Sequence, residues 1–505
     1  MNDRSVSLSI NGRAVTAAQG DTIYSAAQGV GIAIPSLCAS DHLAPFGSCR
    51  LCLCEVEGQP GTLATCTTPV QVGMVVRTDS ERLARHRRNI VELYLSERPE
   101  GIETPEPLRQ LAVALGLDRV RYAEASHRTE FRDDSNPFFS FDNAACISCA
   151  RCVRACEEIQ GTFALTMVGR GFEARPVAGS SPLSGDAAGF ASSNCVSCGA
   201  CVKECPTGAL LETSILRFGK PTRTVRTTCA YCGVGCAFDA GIREGRVVSM
   251  HPADDGPSNL GHACMKGRFG WNYIYAPDRL RVPLRRQRDS RGDRWEEISW
   301  DAALDRVAGE FTRIKNAYGP DALAIISSSR GTNEENYLFA KFMRCVIGTN
   351  HIDNCARVCH SATVTGMMEV LGASAATNSI EDLDRAKLIM VVGANPTESH
   401  PVVGARIKQA VRRGVRLIVV DPRRTELARL ADLHLRLRPG TNVALLNGLG
   451  HVIVSEGLLS EAFIAARTEG VKDWMETVAS CTPGATERIT GVPAASISSR
   501  RPTAR

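Results

Sequence analysis

Two matching cysteine runs place the strongest constraint on how this chain folds. Each has the spacing C-x2-C-x2-C-x3-C, and the two comprise Cys146, Cys149, Cys152 and Cys156, and then Cys195, Cys198, Cys201 and Cys205. In chains with this spacing, three thiolates of a run hold one 4Fe-4S cube and the fourth reaches the other cube. The runs therefore predict one cluster bound by Cys146, Cys149, Cys152 and Cys205, and a second bound by Cys156, Cys195, Cys198 and Cys201. Zinc is a poor alternative, because it favours paired C-x2-C units.

Two further cysteine sets have different spacings. The N-terminal set, C-x10-C-x2-C-x13-C, comprises Cys38, Cys49, Cys52 and Cys66. Its wide outer gaps suit a loop around a flat 2Fe-2S cluster, whereas Cys54 does not fit the central C-x2-C spacing and is predicted to be a bystander. The third set, C-x2-C-x3-C-x27-C, comprises Cys229, Cys232, Cys236 and Cys264. The glycines between its thiols let the backbone close around a third cubane, with zinc as the alternative.

The composition excludes several classes of protein. The chain has 505 residues with 21 Cys, and small secreted frameworks stapled by disulfides are far shorter than this. A formal net charge of +5 gives no sign of a nucleic-acid-binding surface. The sequence shows neither a signal peptide nor an apolar run of roughly 18 residues. We therefore expect a cytoplasmic, thiol-reducing location, no transmembrane segment and no nucleic-acid partner.

The first half of the chain predicts small α+β domains. Apolar alternation around Asn11-Gly12 predicts a hairpin, and a helix near 22–28 completes a β-grasp domain over residues 1–78. Residues 79–135 predict a helical linker without cysteine, in which the arginines of the first helix, Arg87 included, lie on a solvated face. Its second helix is predicted to begin at Thr104-Pro105. Residues 136–218 form the twin-cluster module, with an insertion loop around 175–193, and residues 222–278 hold the third cysteine set.

The second half predicts α/β alternation. Apolar runs at 388–392 and 417–420 flank a helical stretch, as parallel strands buried on both faces do. They predict part of a doubly wound α/β domain over residues 279–491. Cys345, Cys355 and Cys481 are predicted to be core thiols. Residues 492–505 are predicted to be an irregular tail, because they lack a helical period.

The order of these domains resembles the catalytic α subunit of cytoplasmic NAD-dependent formate dehydrogenases. These enzymes are molybdopterin oxidoreductases and share their N-terminal architecture with complex I. The most specific segment is 350–361, Asn-His-Ile-Asp-Asn-Cys-Ala-Arg-Val-Cys-His-Ser. The resemblance implies that Cys359 ligates molybdenum, or tungsten as in some relatives, and that His360 is the adjacent acid/base. It also implies that Lys266 lies between the third cubane and the pterin.

The resemblance further assigns cofactor-binding turns in the α/β domain. In the family, turns at the carboxyl ends of strands hold the guanine dinucleotide tails of a bis-molybdopterin cofactor. The matching positions here are Gly393, Asn395, His400, Asp421, Arg423, Gly440 and Asn442. Taken alone, each of these turns is equally well explained as an ordinary connection.

The implied activity is oxidation of formate to carbon dioxide, with electrons passing to flavin- and NAD-binding subunits of the diaphorase type. Two departures from the family qualify it. No cysteine lies between Cys66 and Cys146, so the histidine-ligated cubane of many relatives is expected to be absent, and one 2Fe-2S and three 4Fe-4S clusters remain. Relatives also continue for hundreds of residues, so this chain is expected to be an N-terminal part that is inactive on formate alone. The alternatives are an electron-transfer scaffold without substrate turnover, or a related molybdoenzyme with another substrate.

Overall fold

A computed structural model describes residues 5–97, 106–122, 131–179, 189–289 and 292–498. Contacts divide the chain into two compact units. One comprises Met1–Arg268 together with Glu381–Arg505, and the other comprises Phe269–Ile380. None of the helices within the described ranges is long and apolar enough to cross a membrane.

The N-terminal domain is a five-stranded sheet with one helix against it. The strands, in sheet order, are Arg13–Ala18, Ser5–Ile10, Val75–Arg77, Leu53–Val56 and Leu63–Ala64. The predicted hairpin is confirmed: Asn11 and Gly12 have φ of 52° and 78°, as a type I′ turn requires. The helix Ile23–Gly29 begins at Thr22, whose side chain forms a capping box with Ser25. This domain fixes the loop that carries the first four cysteines.

Two helices follow, Glu81–Ser96 and Glu106–Ala114. They pack against the cysteine loop, because Val91, Leu108 and Ala112 share a core with Cys38 and Cys49. The prediction for Arg87 is wrong: its side chain is buried and donates from Nε to the Leu51 carbonyl (2.9 Å) and from Nη2 to the Leu53 carbonyl (2.8 Å). The predicted start of the second helix at 104–105 lies outside the described residues, as do 98–103 and 123–130.

The twin-cysteine module combines small sheets with short helices. Its strands are Arg132–Asp133, Phe139–Asp142, Leu165–Val168, Arg175–Ala178 and Leu210–Glu212. Its α-helices are Arg151–Arg154, Ala200–Glu204 and Thr213–Phe218, the first continuing as a π-helical turn, Ala155–Gln160. Single 3-10 turns are Asn143–Ala145, Gly171–Glu173 and Phe190–Ser192. The predicted insertion loop around 175–193 is wrong at its start, because Arg175–Ala178 pairs as a strand with Leu165–Val168; its residues 180–188 lie outside the described residues.

The third cysteine domain is an antiparallel meander of three strands, Arg223–Thr228, Ala237–Arg243 and Arg246–Pro252, followed by the helix Met265–Phe269. The α/β part of the same unit has three parallel strands in the order Leu388–Val392, Arg416–Val420 and Leu433–Leu435. Its helices are Pro396–Ser399, Pro401–Arg412, Glu426–Leu430, Asn442–Ser455, Glu461–Arg467, Val471–Ala479, Pro483–Thr490 and Ala494–Ile497, with a 3-10 turn at Ile380–Asp384.

The first of these parallel strands is buried on one face only, which corrects the prediction for 388–392. Ile389 and Val391 pack against Ile407 of the helix Pro401–Arg412, whereas Leu388 and Met390 are exposed. The reason is positional. This strand lies at one edge of the three-stranded sheet, and the described helix covers a single face.

The start of the predicted irregular tail is ordered in part. Val492 and Ile497, which flank and end the helix Ala494–Ile497, are buried in a core with Leu435 and Leu445. Residues 499–505 lie outside the described residues. Tertiary burial, rather than helical periodicity, accounts for this short helix, since the exposed pattern alone carries too few apolar positions to predict one.

The second unit, Phe269–Ile380, carries part of the predicted 279–491 domain. Its strands are Leu284–Asp289, Gly292–Glu297, Ile325–Ile326 and Ile352–Asp353. Its α-helices are Trp300–Tyr318, Asn333–Lys341, Ala356–Cys359 and Ser361–Leu371, with a π-helical turn at Phe342–Ile347 and 3-10 turns at Gly270–Tyr275 and Pro320–Ala322. Cys345 and Cys355 are exposed, so their prediction as core thiols is wrong; along the π-helical turn, Met343 and Ile347 take the buried positions instead.

Candidate metal and cofactor sites

The N-terminal loop brings four cysteine thiols into one buried group. The Cys49 amide donates to the Cys38 sulfur (3.3 Å), and the Leu37 amide donates to the Cys49 sulfur (3.4 Å). Side-chain hydrogen bonds link Cys38 to Cys49 and Cys66, and Cys52 to Cys66. Those bonds lower the pKa of Cys38 and raise the pKa of Cys49, because the Cys49 thiol donates to the Cys38 sulfur. Such a crowded set of thiols fits a cationic iron cluster.

Cys54 belongs to a different environment, although it is only two residues from Cys52. Its side chain is fully buried in the apolar core of the sheet, opposite Leu63 of the neighbouring strand. Burial raises the pKa of Cys54 to about 11, which keeps the thiol neutral. None of the hydrogen bonds described for the four-thiol group involves it.

The twin-cysteine module contains two separate thiol-lined cavities. One is lined by Cys146, Cys149, Cys152 and Cys205. The other is lined by Cys156, Cys195, Cys198 and Cys201. The fourth cysteine of each run therefore crosses to the other half of the module, because a helix that begins one residue before the third cysteine carries the chain on to the fourth.

The two halves of the module repeat the same backbone conformation. Ser148 and Ser197 have φ of 54° and 51°, and each amide donates to the sulfur two residues earlier, at 3.3 Å. Ala150 and Gly199 occupy the next equivalent position, with φ of 59° and 74°. Left-handed residues turn successive amides inward, so N–H donors point at the sulfurs. This is the donor pattern that thiolate ligands of a cluster accept.

The third cysteine set lines a cavity that also contacts the α/β part of the same unit. Its cysteines are Cys229, Cys232, Cys236 and Cys264. Lys266 lines this cavity together with Ser399 and Pro401, at the start of the helix Pro401–Arg412. Gly267 is required there, because a Cβ would lie 2.8 Å from the Phe238 ring and 3.2 Å from the Cys229 sulfur. Lys266 is thus next to both the thiols and a turn at the edge of the sheet.

The donor chemistry of the other three sets fits iron–sulfur clusters, whose protein ligands are thiolates. Burial raises the pKa of Cys149, Cys198 and Cys236 to about 12, so these thiols ionise only against a strong cationic partner. Among the described residues, no three Cys, His, Asp or Glu side chains converge tightly enough to chelate one metal ion.

The predicted dinucleotide-binding turns meet at one edge of the α/β sheet, because all three strands are parallel and adjacent. The Gly393 amide donates to the Val420 carbonyl (2.8 Å), which ties the ends of the first two strands together. Asp421 follows the second strand, is 4% exposed, and accepts a hydrogen bond from the Arg423 amide (2.7 Å). Of the other predicted residues, Asn395 and His400 flank the helix Pro396–Ser399 after the first strand, and Gly440 and Asn442 follow the third strand at the start of the helix Asn442–Ser455.

Cys359 and His360 lie in the second unit, between the helices Ala356–Cys359 and Ser361–Leu371. Both side chains are exposed. The Cys359 amide donates to the Cys355 carbonyl (2.9 Å), and Cys355 itself contacts the Ser329 hydroxyl through its sulfur (3.2 Å). A side-chain hydrogen bond from Ser329 lowers the pKa of Cys355. The thiol and the imidazole therefore occupy a break between helices, where both are accessible.

Comparison with known families accounts for most of the chain. Residues 279–485 match the molybdopterin oxidoreductase family, and residues 222–276 match its Fe4S4 domain. Residues 3–81 match a 2Fe-2S iron-sulfur cluster binding domain, and residues 145–209 match a 4Fe-4S dicluster domain. The chain belongs to the molybdopterin oxidoreductase family, with iron–sulfur domains.

Curated relatives of this molybdopterin oxidoreductase include three with different names. The NADPH-Fe(3+) oxidoreductase subunit alpha of Geobacter sulfurreducens is 34% identical over 96% of this chain and 56% of its own length. Formate dehydrogenase H of Escherichia coli is 44% identical over 54% of this chain and 39% of its own length. The probable oxidoreductase YjgC of Bacillus subtilis is 30% identical over 96% of this chain and 53% of its own length. The chain thus spans about half the length of the curated relatives that it matches most fully.

Sequence reasoning missed two buried arginines of this oxidoreductase that connect neighbouring thiol sets. Arg154 donates from Nη2 to the Cys38 carbonyl and from Nη1 to the Ala44 carbonyl, both at 2.6 Å. Arg268 donates from Nη1 to the Gly199 carbonyl (2.8 Å) and lies one helical turn after Cys264. Their only signal in the sequence is proximity to ligand cysteines, since an isolated arginine gives no indication of burial.

These contacts arrange the thiol sets of the oxidoreductase as a series. The Cys264 turn contacts the Cys198 cavity through Arg268. The two cavities of the twin module are joined by the crossing cysteines. Cys149 then shares a core with Cys38 and Cys49 of the N-terminal loop. The four sets therefore follow one another from the third domain to the first.

Proposed function

We propose that this molybdopterin oxidoreductase oxidises formate to carbon dioxide and delivers the two electrons to a pyridine-nucleotide partner. The observation that carries the proposal is the Cys359-His360 pair, accessible at a break between helices in the part of the chain that matches the molybdopterin oxidoreductase family. The 44% identity with formate dehydrogenase H supports formate as the substrate.

The proposed ligand sets for iron follow the four groups of thiols. A 2Fe-2S cluster is assigned to Cys38, Cys49, Cys52 and Cys66. Three 4Fe-4S clusters are assigned to Cys146, Cys149, Cys152 and Cys205; to Cys156, Cys195, Cys198 and Cys201; and to Cys229, Cys232, Cys236 and Cys264. When bound, these clusters supply one-electron transfer, and a molybdenum or tungsten bis-molybdopterin guanine dinucleotide supplies the two-electron oxidation.

The chain's own groups then have defined tasks. Cys359 offers a soft, electron-rich thiolate to the metal. Formate gives carbon dioxide, one proton and two electrons, and an imidazole nitrogen of His360 takes the proton as a general base. Lys266, in the cavity of the third cysteine set, provides a positive charge between that set and the sheet edge. These three residues are the proposed catalytic machinery.

The sheet-edge turns are proposed to hold the dinucleotide tails. Gly393, at φ 59°, leaves the end of the first strand open to close approach of a phosphate or ribose. The Asp421 carboxylate is suited to accept hydrogen bonds from a ribose or guanine. The other proposed contacts, which surround these two, are Asn395, His400, Arg423, Gly440 and Asn442.

The serial order of the thiol sets supports an exit for electrons at the N-terminal domain. A flavin- and NAD-binding subunit of the diaphorase type is the proposed partner. The name of the Geobacter relative, an NADPH-Fe(3+) oxidoreductase subunit alpha that matches 96% of this chain, supports a pyridine nucleotide and a multisubunit assembly.

The decisive test uses the native holoprotein in which this chain occurs, purified anaerobically with its partners, and not the chain alone. Metal analysis should give about 14 iron per chain, from one two-iron and three four-iron clusters, together with molybdenum or tungsten and pterin. Formate should reduce an artificial dye, and Cys359→Ser should abolish this at unchanged iron content. Full metal loading without formate-dependent reduction contradicts the substrate, and about 18 iron contradicts the ligand assignment.

A second candidate function has one observation in its favour. Relatives that match 96% of the chain carry names that do not mention formate. The chain would then relay electrons between a pyridine nucleotide and another acceptor, without turning over a substrate of its own. Iron at the predicted level with neither molybdenum, tungsten nor pterin would favour this alternative.

A further inference from the structure

Arg268 and Glu212 form an ion pair in the interior, between the third cysteine set and the twin module. Each side chain is 1% exposed, and Arg268 donates from Nε and Nη2 to one carboxylate oxygen of Glu212 (3.1 and 2.9 Å). The other oxygen of Glu212 has no hydrogen-bond partner within the described part of the chain. Burying both charges costs free energy, and a simple apolar contact would hold the helix of Arg268 and the strand of Glu212 together equally well. The pair therefore requires an explanation beyond packing.

The guanidinium is coupled to a proposed cluster ligand through a single peptide group. Nη1 of Arg268 donates to the Gly199 carbonyl at 2.8 Å. The amide on the other side of that peptide belongs to Ala200, and it donates to the Cys198 sulfur. Hydrogen bonds in series polarise one another, so a cation on the carbonyl strengthens the N–H···S bond. Arg268 thus acts on Cys198 both by its own charge and through this peptide.

The other half of the module provides an internal comparison. Ala150 stands at the position of Gly199, with nearly the same left-handed φ. A Cβ on Gly199 would lie 2.6 Å from both Cδ and Nε of Arg268, which is too close for any side chain. The glycine at 199 therefore makes room for the guanidinium, whereas φ alone is compatible with alanine. The other cavity has Arg151, whose charge acts on Cys149 and which pairs with Glu204, but no described side-chain contact joins an arginine to the Ala150 carbonyl.

A buried positive charge next to a cluster favours the reduced form, because reduction adds negative charge and the interior screens it weakly. Coulombic attraction links Arg268 to the sulfurs of both Cys198 and Cys201. Glu212 accepts from Nε and Nη2 of the guanidinium, whereas Gly199 accepts from Nη1, and the carboxylate partly offsets the positive charge. The reduction potential of the cluster therefore depends on both charges. Removing the charge of Arg268 should lower the potential, and removing the charge of Glu212 should raise it.

We propose that Arg268 is a positioning residue that raises the reduction potential of the cluster held by Cys156, Cys195, Cys198 and Cys201. Gly199 leaves the space that the Arg268 side chain requires, and the Glu212 carboxylate offsets part of the arginine's charge. This inference rests on the proposed ligand sets. It gives an electrostatic asymmetry to a module whose two halves share one backbone conformation. The cluster next to Arg268 is easier to reduce than it would be without the arginine.

The test is a redox titration, monitored by electron paramagnetic resonance, of the full chain reconstituted anaerobically. Arg268→Gln should lower the ratio of reduced to oxidised cluster about tenfold at a fixed potential, a shift of about 59 mV to the negative for one electron. Glu212→Gln should shift the same signal to the positive. Gly199→Ala should reproduce the negative shift by displacing the guanidinium. Arg268→Lys should restore part of the potential that is lost in Arg268→Gln. The signal concerned is the one that Cys198→Ser alters.

The matched control is Lys203→Gln, which removes a cation on the helix Ala200–Glu204 whose partner, Asp254, is exposed to solvent. Solvent screens that pair, so the signal should change less than about twofold. The proposal is overturned if Arg268→Gln and Gly199→Ala leave the signal within twofold of wild type at full iron content, or if Glu212→Gln shifts it in the same direction. Should Arg268→Gln lose its clusters, the Gly199→Ala and Glu212→Gln shifts decide. Fewer than about eight iron in the wild-type module would refute the proposed ligand sets themselves.

Discussion

Replacing Arg87 by methionine removes two hydrogen bonds while keeping most of the apolar stem. The bonds hold the carbonyls of Leu51 and Leu53, which flank the proposed iron ligand Cys52. Leu51 is fully buried, and Leu53 is 7% exposed, so water cannot replace the lost donor without opening the loop. The helix Glu81–Ser96 and the cysteine loop should therefore separate more easily in this variant.

The size of the effect follows from these contacts. A hydrogen bond from a charged donor contributes about 1.5–3 kcal/mol, and a buried acceptor left unpaired costs about 1–3 kcal/mol. The desolvation of the guanidinium, which lowers the pKa of Arg87, offsets part of this. We expect Arg87→Met to destabilise the N-terminal domain by about 2–4 kcal/mol, roughly 30- to 1000-fold in its folding equilibrium.

The assay follows the signal of the reduced two-iron cluster against urea concentration, because this signal reports the N-terminal domain alone in a multidomain chain. Arg85→Met is the matched control, since Arg85 is an exposed arginine of the same helix. It should change stability by less than about 0.5 kcal/mol. Equal stability of the two variants, or an Arg87→Met loss below about 0.5 kcal/mol, would refute the structural role assigned to Arg87.

Three further outcomes are expected. Cys359→Ser should abolish formate-dependent dye reduction by the holoprotein and leave the iron content unchanged, whereas loss of iron would place this thiol in a cluster. Cys54→Ala should retain the two-iron signal that Cys52→Ala loses, because Cys54 lies in the apolar core; loss of the signal in both would make Cys54 a ligand. Burial lowers the pKa of His251 below 6.5, so on acidification His251 binds a proton in the unfolded chain before it does so in the folded protein, and stability should fall as pH drops below about 6.5. His251→Gln should make this fall less steep in acid denaturation curves, and an unchanged slope would contradict the assignment.

Local signals in the sequence predicted local structure well. The Asn11-Gly12 turn, the capped helix after Thr22 and the two apolar strands of the α/β part all form where the residues indicate them. Each depends on backbone preferences or on burial patterns within a few residues. Such preferences act regardless of what the rest of the chain does.

Burial of individual polar side chains could not be predicted in the same way. Arg87 and Arg85 are equivalent in composition and differ by two positions, yet only Arg87 meets the carbonyls of a loop that is distant in sequence. Cys345 and Cys355 are apolar enough to suit a core, but neighbouring residues fill the interior and these thiols face outward. Helical periodicity identifies a face, and only the packed partner shows whether that face is buried.

Cysteine spacing by itself determined how many thiol sets this chain contains and which domains carry them, because a cluster imposes a short, fixed separation on ligands that share one loop. Tertiary structure decided what surrounds each set. The same left-handed turn occurs in both halves of the twin module, but an arginine from another domain contacts only the half that has glycine at position 199. The physical reason is distance along the chain. Most ligand spacings lie within one segment of the sequence, whereas the charge next to a cluster is supplied by a side chain more than sixty positions away.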